Sequence, residues 1–198
     1  MNPARHTFKP VTLVAGAGSR TITGIVSNAC AVCHTQNSGL TPITAESMNA
    51  EKDRFEDALQ ALQTILATNT LRPLFFGSSN PYFFTAPFVA GGQNTSVTNW
   101  LSEGDADNTG NTTGRNNMGA AFNLNLFRHD YGAFTHNRLY VKRLIYDSID
   151  WINNNLLDND VEATINALPE GTTDYTISAA QKAAAITYLL GGPGGLRP

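Results

Sequence analysis

The alternation of apolar and polar positions changes its period several times along this 198-residue chain. Val11-Thr12-Leu13-Val14 and Thr21-Ile22-Thr23-Gly24-Ile25-Val26 are short β-branched runs bracketed by Gly and Ser, which predicts two strands of a small hairpin. From Thr44 the period becomes helical. Thr44 is placed to cap a long helix running to about Thr68, with Phe55, Leu59, Leu62 and Leu66 as its apolar stripe and Glu51 to Arg54 on its solvated face. Residues 71–115 keep neither period: Phe75, Phe76, Tyr82, Phe83, Phe84, Phe88 and Trp100 stand among Gly, Ser, Asn and Pro.

Helical spacing returns with four further segments. Asn116 or Asn117 is expected to cap Met118 to about Phe127, and Asn137 to cap Arg138 to about Asn153, with Val141, Leu144, Ile145, Ile149 and Ile152 inward. A short helix is expected over Val161–Leu168. Ser178 caps a last one over Ala179–Leu190, stopped by Gly191-Gly192-Pro193. The pattern therefore predicts a mostly α single domain over residues 1–198. It divides into a short N-terminal β-hairpin or arm (1–27), a stretch with one helix and a long irregular aromatic loop region (28–115), and a helical C-terminal part (116–198).

Composition narrows the class. With 41% apolar and 15% charged residues the chain is neither a disordered tail nor a coiled coil. A net charge of −3 and a pI near 5.7, with no basic stripe, argue against nucleic-acid binding. No run approaches the length of a membrane span. The start, Met1-Asn2-Pro3-Ala4-Arg5-His6, lacks the charged and apolar regions of a signal peptide.

The chemistry concentrates in Cys30-Ala31-Val32-Cys33-His34. The chain has two cysteines, three positions apart, and a histidine directly follows the second. Covalent haem attachment needs this spacing: two thiols add to the porphyrin vinyl groups, and the turn between them brings the next imidazole to the iron as proximal ligand. Three rival readings exist. A thioredoxin-like pair would want a βαβ setting and has no use for the histidine. Zinc would require two more ligands at suitable spacing, and structural cysteines would not require His34. Cys30, Cys33 and His34 are therefore expected to hold one covalent haem c, with His34 on the iron. A carbonyl within Leu40–Pro42 is placed to accept from the proximal imidazole, although a plain turn into the next helix explains the same residues.

Two secondary features carry alternatives. The aromatics of 75–100 suit packing around a porphyrin, or ordinary anchoring of a loop into the core. Asp105-Ala106-Asp107-Asn108-Thr109-Gly110 opens like a calcium loop, but its twelfth position is Asn116 rather than a bidentate Glu, so a solvated turn is the better reading.

Asn117-Met118-Gly119-Ala120-Ala121-Phe122-Asn123, Gly132-Ala133-Phe134-Thr135-His136-Asn137 and Arg143-Leu144-Ile145-Tyr146-Asp147-Ser148-Ile149-Asp150-Trp151 form a succession that resembles the C-terminal haem-bearing modules of periplasmic and outer-surface c-type cytochromes of metal-reducing bacteria. The ending Ile186-Thr187-Tyr188-Leu189-Leu190-Gly191-Gly192-Pro193 is similar to theirs as well. The likeness covers about residues 116–198 and the haem motif. It implies respiratory or extracellular electron transfer, an extracytoplasmic location, and other cytochromes, multihaem chains or copies of the same chain as partners. Since a c-type haem is normally attached outside the cytoplasmic membrane, a removed signal peptide or upstream modules are expected. Members of this group often carry many haem motifs, and this chain has one, as a single-haem protein or an excised module would.

An electron carrier keeps its iron six-coordinate. The candidates opposite His34 are His136, favoured, and Met118, the alternative, each expected at a helix start where the dipole's positive end would face the haem. His129, between Arg128 and Asp130, reads as solvated, and His6 lies at the terminus. The expected function is a monohaem c-type cytochrome carrying single electrons, with no substrate turnover of its own. The alternatives are a haem enzyme or gas sensor with an open distal position, recruiting Arg115, Arg128 or His129, and a docking module whose haem holds the fold.

Overall fold

The computed structural model describes residues 11–16, 19–27, 34, 42–69, 73–97, 100 and 113–198. These divide into two compact units, the first ending at Asp53 and the second running over Arg54–Pro198.

In the first unit, β1 (Val11–Gly16) and β2 (Ser19–Ile25) pair antiparallel, with Val11 opposite Ile25 and a register shift between Thr12 and Leu13. The hairpin follows from the β-branched runs, which suit a pleated surface. Thr23 donates to the Thr12 hydroxyl at 3.1 Å across the pair. Ile22 is buried, whereas Leu13 and Val14 face solvent. The long helix α1 (Ala45–Thr68) begins after Thr44, whose Oγ1 accepts from the backbone N–H of Ser47 at 3.0 Å, the N-cap expected from the sequence.

The second unit gathers the rest of α1, two short paired strands and five helices. β3 (Phe75–Phe76) and β4 (Phe83–Phe84) form a small antiparallel ladder. The helices are α2 (Thr113–His129), α3 (Ala133–His136), α4 (Arg138–Asn154), α5 (Val161–Ala167) and α6 (Ala179–Leu190). Phe55 of α1 is the hub of the core. Its ring lies 6.3 Å from Phe127 of α2, 6.0 Å from Phe134 of α3 and 5.9 Å from Tyr188 of α6, so one side chain joins four helices. Leu59, Leu62 and Leu66 continue the buried stripe, and Val141, Ile145, Ile149 and Ile152 bury the inner face of α4. Leu144, expected inward with them, is only half-buried.

Local chemistry sets the helix ends. Ser178 accepts from the Gln181 N–H while the Gln181 side chain reaches back to the Ser178 N–H, a reciprocal cap for α6. Gly191 then closes α6 with φ +80°, a left-handed position that glycine takes without steric cost.

Several expectations need correction. α2 starts at Thr113 rather than Met118, so Asn117 lies inside the helix, buried, instead of capping it. Met118 is therefore interior to α2 and loses the helix-start position assigned to it. Asn137 makes no side-chain cap for α4. His136 closes the four-residue α3, a helix not foreseen, and does not begin a helix.

The aromatic stretch anchors itself among its own rings and neighbouring loops. Phe75 meets Tyr175 at 5.0 Å, Phe83 meets Trp100 at 5.7 Å, and Phe84 meets Phe88 at 5.0 Å, with Phe83 and Phe84 buried. The Tyr175 hydroxyl donates to the Phe76 carbonyl at 3.0 Å and accepts from the Phe88 N–H at 2.9 Å. Burial against these segments pushes the Tyr175 phenol up from its usual value. These contacts favour ordinary core anchoring.

Candidate functional site

Of the haem-attachment motif, His34 lies among the described residues, half-buried in a turn. Cys30, Cys33, the Leu40 end of the proposed carbonyl loop, Asp105–Gly110 and His6 lie outside them. The motif falls in sequence between two elements that are tied together: Asn49 of α1 grips the backbone of Ile22 in β2 with two hydrogen bonds of 2.8 and 2.9 Å. Two thiols and an imidazole are the donor set a covalent haem requires, and a half-buried imidazole suits an iron ligand.

The candidates for the far side of the iron lie in the second unit. His136 closes α3. Met118 stands on an exposed face of α2 with Phe122 and Leu126, their exposures being 48%, 65% and 44%. His129 ends that helix. Its Nδ1 lies 2.8 Å from the Asn125 carbonyl oxygen, and its ring meets Tyr82 edge-on at 4.8 Å.

Beside His129, Arg128 turns inward. Its guanidinium donates to Gln60 Oε1 at 3.2 Å and Gln63 Oε1 at 3.0 Å. The same two amides donate to the Asp174 carbonyl at 2.8 and 2.7 Å, and Gln60 also donates to the Thr176 carbonyl at 3.0 Å. Burial holds the Arg128 guanidinium below its usual value, opposed by the charges of Glu56 and Asp174. Arg128 thus locks α1, α2 and the loop before α6 together.

An acidic group that sequence reading missed lies at the end of α4. Oxygens of Asp150, Asp158 and Asp160 come within 4.8 Å of one another. Asp150 is fully buried and accepts from the N–H groups of Asn159 and Asp160, each at 3.1 Å. Asn154 donates to Asp158 at 2.8 Å, while Asn153 and Thr164 donate to Asp160 at 2.6 and 3.1 Å. These bonds pin the α4–α5 turn. Burial pushes the Asp150 carboxyl above its usual value, and its two backbone donors oppose that shift. The sequence signal was Asp158-Asn159-Asp160 eight residues beyond an Asp inside a helix.

No family model matches the chain, and no solved structure matches it. Two curated proteins of Geobacter sulfurreducens do: the C-type polyheme cytochromes OmcB and OmcC, each 40% identical over 194 residues, or 94% of this chain. The chain resembles one segment of a polyhaem c-type cytochrome. It spans about a quarter of the length of the curated relatives it matches (24% of OmcB and 23% of OmcC). The match takes in 94% of the chain, more than residues 116–198 and the haem motif, which carry the likeness read from the sequence. Among the described residues no helix is long and apolar enough to cross a membrane.

Proposed function

We propose that this chain carries one covalent haem c on Cys30 and Cys33, with His34 as proximal ligand, and passes single electrons in an extracytoplasmic respiratory chain. The observation that carries this reading is the coincidence of Cys30-Ala31-Val32-Cys33-His34 with 40% identity to two polyhaem c-type cytochromes over 94% of the chain. The haem, when bound, supplies a reversible ferric/ferrous couple. The chain supplies the thioether anchors, the proximal imidazole and the sixth ligand.

For the sixth position we propose His136, with Met118 in its place as the alternative. Met118 is exposed on α2, where its thioether is accessible to an incoming iron. Two imidazoles would hold the couple at low potential, whereas a thioether would raise it. The partners on this reading are other cytochromes or redox proteins, including other haem-bearing segments and further copies of the chain.

Potentiometric titration followed by absorbance tests the carrier role. A single one-electron wave, with a low-spin spectrum that cyanide leaves unmoved in the ferric state and carbon monoxide leaves unmoved in the ferrous state, is the expected result. A high-spin spectrum that shifts on adding either ligand would overturn it in favour of the enzyme or sensor reading.

A further inference from the structure

Helix α4 opens against the usual charge rule. The N-terminal end of a helix carries the positive pole of its dipole and favours acidic side chains, yet the first turn of α4 holds none. Arg138, Lys142 and Arg143 stand there instead, and the first acid of the helix is Asp147. A local rule broken in this way marks a position kept for function rather than for helix stability.

Lys142 is the unusual member of the three. Arg138 and Arg143 are exposed, whereas Lys142 is only 8% exposed, a costly setting for an ammonium group. Its Nζ lies 4.4 Å over the ring of Tyr188, a contact that attracts a cation without cancelling its charge. Tyr188 meets Phe55 at 5.9 Å, and Phe55 meets Phe134 of α3 at 6.0 Å. The ammonium therefore borders the same aromatic cluster as the short helix that His136 closes.

Chain geometry limits the range. His136 and Lys142 are separated by two residue steps and one turn of α4, so their Cα atoms are at most about 14 Å apart. Helical side chains lean toward the N-terminus of their helix, which turns Lys142 back toward the α3 end of α4.

We infer that Lys142 is the buried charge that sets the reduction potential of the chain's haem, favouring the ferrous form over the ferric. The inference rests on the haem reading above, with His136 as sixth ligand. Reduction removes one positive charge at the iron, and a fixed cation nearby repels the reduced centre less. Buried charges are screened far less than exposed ones, and at about 15 Å with an effective dielectric near 20 the effect is several-fold in the ferric/ferrous equilibrium. Lys142 thereby offsets part of the low potential that two imidazoles impose.

Potentiometric titration of the haem-loaded chain tests this with two neutral variants, Lys142→Met and Lys142→Gln, beside Lys142→Arg. The neutral variants should favour the ferric form by at least about threefold, a downward shift of about 30 mV at 59 mV per tenfold for one electron. That shift should persist in molar salt, and Lys142→Arg should keep the wild-type potential. The comparison is read on whichever neutral variant retains the wild-type circular dichroism and low-spin spectrum, so a packing defect does not pass for a charge effect. An unchanged potential, an upward shift, or a downward shift that salt abolishes would each overturn the inference. Failure of the underlying reading looks different and is seen with Lys142 intact: no haem uptake by wild type, or a low-spin spectrum that survives in His136→Ala.

Discussion

Asn49 and Ile22, 27 residues apart, are joined through both ends of one amide: the Ile22 N–H donates to Asn49 Oδ1 at 2.9 Å, and Asn49 Nδ2 donates to the Ile22 carbonyl at 2.8 Å. The side chain thereby pairs like a neighbouring strand, completing backbone bonds that β2 would otherwise leave open. In sequence, the haem-attachment motif lies between the two partners. The arrangement ties the segment before the motif to the helix after it.

Replacing Asn49 with Ala leaves the Ile22 N–H and carbonyl without this partner, at a cost of about 1–3 kcal/mol. Asn49→Asp restores only the acceptor and should recover part of that loss. Urea denaturation of the three proteins measures the order.

Arg128→Met should destabilise the chain by about 2–3 kcal/mol, because the amide oxygens of Gln60 and Gln63 lose a charged donor. Should Arg128 act as a distal haem group instead, the variant would change cyanide binding to the loaded protein. We expect that binding to stay as in wild type, with the loss confined to stability.

Asp150 gives a pH signature. Its folded value lies above its unfolded one, so between those values the folded chain holds the proton more tightly. Its contribution therefore favours folding most below the ordinary carboxylate range and declines as pH rises through the folded value, by at most about 1.4 kcal/mol per pH unit. In denaturation at a series of pH values, Asp150→Asn should flatten that window relative to wild type.

Ser178→Ala removes the hydroxyl of the α6 cap and should cost about 1 kcal/mol. Ser178→Asp, which keeps an acceptor facing the Gln181 N–H, should cost less. Thermal melting compared with wild type checks both.

What was legible in the sequence follows from how local each signal is. The β-branched runs of the hairpin, Thr44 and Ser178 as caps, and the stripe Phe55, Leu59, Leu62 and Leu66 act within a few residues, and each appears where expected. The start of α2 was misread because Asn117 looks like a cap and is instead a buried polar residue inside the helix. α3 spans four residues, too few for a periodic pattern to register. The Arg128 lock depends on pairings of long range, such as Gln63 with Asp174, which spacing along the chain does not encode, whereas the acidic turn joins Asp150 to residues nine and ten positions on, a spacing that matches no regular helical or strand period. His129 read as a solvated residue, and it is indeed exposed, but its tautomer depends on the helix carbonyl four residues earlier.

The central claim is one covalent haem on Cys30 and Cys33. It is tested most directly by intact mass spectrometry, under denaturing conditions, of the chain matured in an oxidising, haem-attaching compartment, alongside Cys30→Ala/Cys33→Ala. The account predicts a mass gain of a single haem that survives denaturation and vanishes in the double variant. Unmodified mass in the wild-type chain, or a haem that remains in the double variant, would contradict it.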